Sequence, residues 1–257
     1  MAAMIILPLT AMEKRHKTVI VSENKTVSSS DGVISVMKSD SGKVEKTSEK
    51  EYVVGSLAAE MSMDSHDEAL KAQAVACYTY ALYIKENSNK DELNGADISD
   101  DSTTHQGYLN KEARKKKWGD KFDTYEAKAE KIADSVAGKK MTYNGKSILA
   151  AYHELSTGKT ESAETVWGEK IPYLQSVTSA GDKLATGYDE TKTLSAEQFK
   201  TAAQMIDGIT LGTDAGDWLG KTEKTDTGFV KTIELDSTKV GGSDFKKAFE
   251  LRSRVFT

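Results

Sequence analysis

The chain has 257 residues but only one cysteine, two prolines and three tryptophans. A single thiol, Cys77, excludes an intramolecular disulfide and any cysteine-rich zinc site. It lies inside an apolar helical pattern and reads as a small core residue. So few prolines exclude long polyproline linkers. Neither charge sign dominates: 35 Lys and Arg against 40 Asp and Glu leave a net −5, so nothing points to nucleic acid as a partner. The apolar run Ala2–Met12 is too short to cross a bilayer, which takes about 20 residues. Followed by the charged Glu13–Lys17, it makes 1–17 read as a signal-peptide core or the remnant of a membrane anchor. A buried N-terminal element is the alternative, against which Pro8 argues. The chain as a whole, 38% apolar and 29% charged, has the composition of a soluble globular protein long enough to bury a real core.

Residues 18–49 are rich in Ser, Lys, Thr and Val and read as a linker or stalk. Ser28–Gly32 marks a turn, Val33–Val36 a short strand, and Ser39–Ser48 a polar linker. Two S-x-x-E capping signals follow, Ser48 with Glu51 and Ser65 with Glu68, each opening a helix. The first helix ends near Glu60-Met61. The second carries Leu70, Ala74, Cys77, Ala81 and Ile84 at spacings of three and four, an amphipathic stripe. Together they predict a helical hairpin with Glu60 beside its bend. The run Lys111–Lys117 (KEARKKK) reads as a solvated helix face. Asp123 with Glu126 signals a further helix reaching Val136, stopped by Gly138. Met141–Tyr143, Asn144-Gly145 and Lys146–Tyr152 form a hairpin signal, because Asn-Gly accepts the two positive φ angles of a type I′ turn. A capped helix from Ser195, strands around Phe229–Leu235 and a closing segment Phe249–Phe256 complete the chain. The expected class is α+β: an N-terminal helical hairpin packed on β-hairpins, helices early and strands late, forming one mixed domain over 50–257 behind an N-terminal stalk.

Several blocks occur in order within that domain. They are EYVVGSLAAEM (Glu51–Met61), EALKAQAVACYTYAL (Glu68–Leu82), DDSTTHQGY (Asp100–Tyr108), AAYHELSTGKTE (Ala150–Glu161), VWGEKIPYLQSV (Val166–Val177) and ELRSRVF (Glu250–Phe256). In this order they resemble the stage II sporulation protein D family of wall-cleaving proteins. The resemblance implies a peptidoglycan lytic transglycosylase, which cuts the MurNAc-β-1,4-GlcNAc bond and leaves a 1,6-anhydro-MurNAc end during engulfment in sporulation. It also implies an extracytoplasmic site in the cell envelope, anchored or secreted. Peptidoglycan glycan strands are the implied partner, with a cell-wall amidase and other membrane-bound sporulation proteins as further partners. The alternative is a non-catalytic peptidoglycan-binding protein or enhancer of a cell-wall amidase. A third reading is a structural scaffold in an envelope complex.

Glu60 matches the family's catalytic glutamate, and its place near a helix C-terminus, where the dipole disfavours negative charge, suits an acid. The resemblance implies substrate-binding roles for Lys71, Gln73, Tyr78, His105, Gln106 and Tyr108, and for His153, Ser156, Gly158 and Thr160 in the loop after the hairpin. Tyr78 stands where the family often has arginine, and Glu154, Leu155 and Thr157 where serines and a glycine are more usual. Some relatives bind zinc through cysteines near the His105 loop. Those cysteines are absent here, so no metal and no cofactor are expected. Trp167, Arg252 and Ser253 read as packing and chain-end residues.

Overall fold

The computed structural model describes residues 20–22 and 32–256. The 1–17 signal or anchor reading lies outside them, as does the Ser28–Gly32 turn except for Gly32. The chain divides after Tyr152 into two compact units, a division inside the span read above as one domain. The α+β class holds, with small sheets and helices in both units. Strands are not confined to the later part of the chain, since three precede the first long helix.

In the first unit, β2 (Val33–Met37) buries Ile34 and Val36 on one face. It pairs antiparallel with β3 (Val44–Ser48) and parallel with the short β4 (Ile98–Ser99). The stretch expected to be a polar linker therefore contains a strand. Its side chains are mostly exposed, so no apolar alternation marks it, and backbone pairing to β2 holds it in place. Asp97 ties this sheet to the chain behind it: its carboxylate accepts from the Ser35 N–H at 3.0 Å and from Lys90 Nζ at 2.8 Å. Burial pushes this acid up, but these bonds and Lys85 outweigh it and hold the group at about 2.

The helical hairpin forms as expected, with changed details. Ser48 Oγ accepts from the Glu51 N–H and opens α1 (Glu49–Glu60). The reciprocal half of the capping box is not used, because the Glu51 carboxylate turns to Arg114. The next helix, α2 (Asp67–Asn87), is capped by His66 rather than Ser65, with imidazole Nδ1 accepting from the Glu68 N–H. Its stripe Leu70, Ala74, Cys77 and Ala81 is buried. The run KEARKKK forms α3 (Lys111–Trp118), but it is not uniformly solvated: Arg114 is fully buried. A 3-10 turn then leads straight into α4 (Phe122–Ser135), so Asp123 and Glu126 cap nothing and Glu126 is buried instead. The core joins Val53, Val54 and Leu57 of α1, Leu70 and Ala74 of α2, and Ala129, Ile132 and Ala133 of α4. Each fully buried leucine there stabilises by roughly 1.5–3 kcal/mol.

The Asn144-Gly145 turn has φ of 53° and 80°, as a type I′ turn demands. It joins β5 (Lys140–Tyr143) to β6 (Lys146–Ser147), and β5 also pairs with β1 (Ile20–Ser22). The second strand is shorter than expected. After the Ile148 N–H donates to Met141 the chain bends, with the Ala151 N–H donating to the Leu149 carbonyl, and Tyr152 leaves the sheet.

The second unit begins with the short helix α5 (Ala163–Trp167). Next comes α6 (Ala196–Ala203), with a complete capping box between Ser195 and Gln198. A sheet β7-β8-β9 follows, from Leu219–Lys224, Val230–Leu235 and Thr238–Gly241. Only β8 is apolar enough to read from sequence. The β8–β9 turn is Asp236-Ser237, at φ of 45° and 70°, and carries no glycine to announce it. The last helix, α7 (Gly242–Ala248), and the closing segment pack Phe245, Phe249 and Phe256 into the unit's own core. Trp167, expected to be a packing residue, is 54% exposed. Its helix is a five-residue turn ended by Gly168, in which only Ala163 is buried.

Candidate active site

Glu60 is the last residue of α1 and is half-buried. The segment around residues 105–109 runs back along this helix and fixes its end. The Leu109 N–H donates to the Gly55 carbonyl at 3.2 Å, and the Gly107 N–H donates to Glu60 Oε1 at 2.7 Å. Two glycines permit so close an approach. A Cβ on Gly55 would stand 2.4 Å from Tyr108 Cε2 and 2.6 Å from the Leu109 carbonyl oxygen. A Cβ on Gly107 would stand 2.9 Å from Ala59 Cβ and 3.1 Å from Glu60 Oε1 itself. Lys117 Nζ donates to the Ala58 carbonyl at 2.7 Å, placing a cation at the negative end of the helix dipole.

A buried polar chain reaches Glu60 from the core. The Gln106 side chain gives its Nε2 protons to the Tyr52 hydroxyl at 2.6 Å and the Cys77 carbonyl at 2.9 Å. Its Oε1 consequently faces the Tyr152 hydroxyl, which lies 3.5 Å away. Glu60 is among the charged groups near that hydroxyl. Burial, then the nearby Cys77 and Glu60, push the Tyr152 phenol well above its ordinary range. Burial pushes the Cys77 thiol up to about 12, and burial followed by the Glu60 charge raises Tyr80. All three groups therefore stay protonated at neutral pH. The arrangement holds the Glu60 carboxylate by the Gly107 N–H, with protonated phenols and a thiol nearby and the Lys117 cation on the last turn of the helix.

Comparison with known proteins bears on what such a site is for. The family model described as Stage II sporulation protein matches residues 37–143. Stage II sporulation protein D of Bacillus amyloliquefaciens is 33% identical over 254 residues, 95% of this chain and 71% of the relative. The chain belongs to the stage II sporulation protein D family. The protein of that name from Bacillus subtilis (strain 168) is 36% identical over 236 residues, 90% of this chain and 66% of the relative. The chain is also 26% identical over 191 residues to an amidase enhancer of the same organism, covering 68% of the chain and 23% of that relative.

The residues singled out through the family resemblance have different surroundings. Gln106 joins the chain leading to Glu60, and Gln73 Nε2 donates to Cys77 Sγ at 3.4 Å on the same stretch of α2. Tyr78 does not join them. Its hydroxyl donates to Glu49 Oε2 at 2.9 Å, at the other end of α1 from Glu60 and about 16 Å along the helix axis. Lys71 pairs with Glu68 at 2.7 Å on the exposed face of α2. His105 Nδ1 accepts from the Ser99 N–H at 3.3 Å, and burial lowers this imidazole from its ordinary value. Tyr108 is buried and stacks on Tyr52 with ring centroids 5.5 Å apart. Among the described residues no three His, Cys, Asp or Glu side chains group as a metal site.

The remaining four belong to the second unit. Ser156 Oγ donates to Asp182 Oδ2 at 2.5 Å, and His153 Nε2 lies 3.9 Å from the same oxygen. The carboxylate stands between hydroxyl and imidazole, so the imidazole is not placed to take the hydroxyl proton. Gly158 sits at φ +88° against Lys183. Thr160 Oγ1 accepts from the Val177 N–H at 2.9 Å, which makes it a loop staple.

Sequence reasoning missed Gly107 and Tyr152. Gly107 left one signal, a glycine flanked by polar and aromatic residues in a loop. Tyr152 lies in the block AAYHELSTGKTE and ends the hairpin, but nothing in that block set it apart from its neighbours. Gly107→Ala should cut any Glu60-dependent turnover at least tenfold while costing about 1–3 kcal/mol of stability, the usual range for overpacking. Rate and denaturant midpoint measured on one preparation check this.

Proposed function

We propose that this chain is a peptidoglycan lytic transglycosylase in which Glu60 is first the acid and then the base. The observation that carries the reading is the Glu60 carboxylate held at the end of α1 by the Gly107 N–H. The groups described in contact with it or bordering it are the Gly107 N–H, the phenols of Tyr80 and Tyr152, the Cys77 thiol and, at Ala58, the Lys117 cation. Hydrolysis in either stereochemical mode needs two carboxyl groups. Anhydro-ring formation needs one, because the attacking hydroxyl belongs to the substrate and proximity replaces the second group. In the first step Glu60 gives its proton to the glycosidic oxygen as the bond to the muramic C1 breaks. The resulting carboxylate then takes the proton of that sugar's C6 hydroxyl as its oxygen bonds to C1, and Glu60 ends protonated again.

A second reading has its own support in the likeness to the amidase enhancer. The chain would then bind glycan strands and act through a cell-wall amidase. One digest separates the two. Purified protein incubated with peptidoglycan should release strands ending in 1,6-anhydro-muramic acid, identified by mass spectrometry. Reducing muramic ends would replace transglycosylation with hydrolysis, and glycan binding without any product would favour the second reading.

A further inference from the structure

We propose that the outer edge of β3 is a docking site for an extended segment of a partner protein. The segment pairs through its backbone with Val44 and Lys46 and sets a lysine or arginine into the cavity beside them. The surface asks nothing of Glu60 and stands independently of the transglycosylase reading.

The phase of hydrogen bonding along the β2–β3 hairpin decides which backbone groups are left over. At one end the Lys38 N–H donates to the Lys43 carbonyl at 2.8 Å, and at the other the Glu49 N–H donates to the Gly32 carbonyl at 3.0 Å. Bonded and unbonded pairs alternate in an antiparallel ladder. With Glu45 opposite Val36 and Thr47 opposite Ile34, Glu45 and Thr47 bond to β2, while Val44 and Lys46 turn their N–H and C=O outward. β3 is the last strand of its sheet, and among the described residues no partner takes those groups. The register runs without a bulge and the strand holds no proline, two of the devices that commonly blunt an edge.

A cavity of about 450 Å³ opens against this edge, its lining following the strand from Glu45 to Thr47. Val36 and Tyr108, both buried, line it together with Glu51, Lys111 and Glu112. Glu51 is already taken by Arg114. Among the described residues Glu45, Glu112 and Lys111 make no ion pair or side-chain hydrogen bond. Two open carboxylates against one open ammonium leave the cavity acidic, with an aliphatic and an aromatic side chain beneath. That combination fits the long stem of a basic side chain and meets its charged head. Tyr108 already has a cation over its ring, Lys38 Nζ at 5.9 Å from the centroid. In a strand added to an edge the main chain supplies affinity, and pockets for alternate side chains supply selection.

Two acetylated pentapeptides serve as probes, one alternating valine with lysine and one alternating valine with glutamate, each titrated into the nitrogen-15-labelled full chain. The lysine peptide should shift the Val44 and Lys46 amides and slow their hydrogen exchange. It should bind on the order of tenfold tighter than the glutamate peptide, as charge complementarity at an interface requires. Glu45→Lys combined with Glu112→Lys should reverse that order, because both side chains are exposed and the ladder bonds are untouched. Lys46→Pro removes an N–H that faces away from β2, a place where an edge strand tolerates proline. It should abolish binding with the unfolding midpoint unchanged, and if it unfolds the charge-reversed variant alone decides. Equal affinity for the two peptides, shifts centred elsewhere, no saturation by either, or undiminished binding to a folded Lys46→Pro chain would each overturn the proposal. Edge amides that shift with protein concentration alone would make the occupant a second copy of this chain, and the partner reading would fall.

Discussion

Glu60→Gln should lose nearly all turnover, on the order of 10²- to 10⁴-fold, the usual contribution of general acid–base catalysis. The substitution is chosen for what it keeps. Glutamine retains an oxygen for the Gly107 N–H, which now sits 2.7 Å from Glu60 Oε1, and fills the same volume, so no cavity opens and folding should survive. What it lacks is a proton that can leave and return. Glycan binding should therefore persist in the same sample that fails to cut, and the comparison of the two in one preparation is decisive. Cleavage at near the wild-type rate would remove Glu60 from the reaction. Loss of binding along with turnover would make it a contact rather than an acid.

How far Glu60 could be read from the chain depended on which signals are local. The helical hairpin was legible because Ser48 and the α2 stripe are local and periodic, and so was the Asn144-Gly145 turn. The strand Val44–Ser48 was not, since an edge strand facing water needs no apolar alternation and is defined by its partner β2. The Asp236-Ser237 turn escaped for a similar reason, as positive φ was reached without glycine.

The site shows the same division. Glu60 was singled out through a motif, whereas its partner Gly107 and its neighbour Tyr152 lie 47 and 92 residues away in sequence. Only tertiary folding brings the Gly107 amide to this carboxylate and the Tyr152 phenol near it, and neither residue type is unusual enough to be singled out within its block. Tyr78 shows the converse error. It shares a sequence block with residues near Cys77, yet a helix carries neighbouring positions to different faces, and its hydroxyl meets Glu49 instead. The run KEARKKK misled for its charge: five cationic side chains in seven residues read as solvated, but the one at Arg114 has no exposed surface.

That arginine carries the largest expected effect on stability. Arg114 grips Glu126 with Nε and one terminal nitrogen, at 2.8 and 2.6 Å, and Glu51 through its terminal nitrogens at 2.8 and 3.2 Å. It also donates to the Leu109 carbonyl at 2.9 Å. The side chain of Glu126 is 8% exposed and that of Glu51 36%, so the two acids will respond differently to losing their cation. Glu51 can turn to water, whereas Glu126 is left as a buried, unpaired acid. Arg114→Met should therefore cost about 3–5 kcal/mol, the usual consequence of removing one partner from a buried pair. Adding Glu126→Met should restore most of that loss, because the stranded acid is gone and the volume is refilled with apolar atoms. Urea unfolding of the single and double variants, with equal slopes, reads this directly. If Arg114→Met alone shifts the midpoint by less than about 1 kcal/mol, the triad behaves as a surface pair and the argument fails. The functional consequence follows from the Leu109 bond. The segment that Arg114 holds is the one whose Gly107 N–H meets Glu60, so the double variant should fold and yet position the acid less tightly. A restored unfolding midpoint with turnover still reduced is the result that would tie this buried cation to the site it supports.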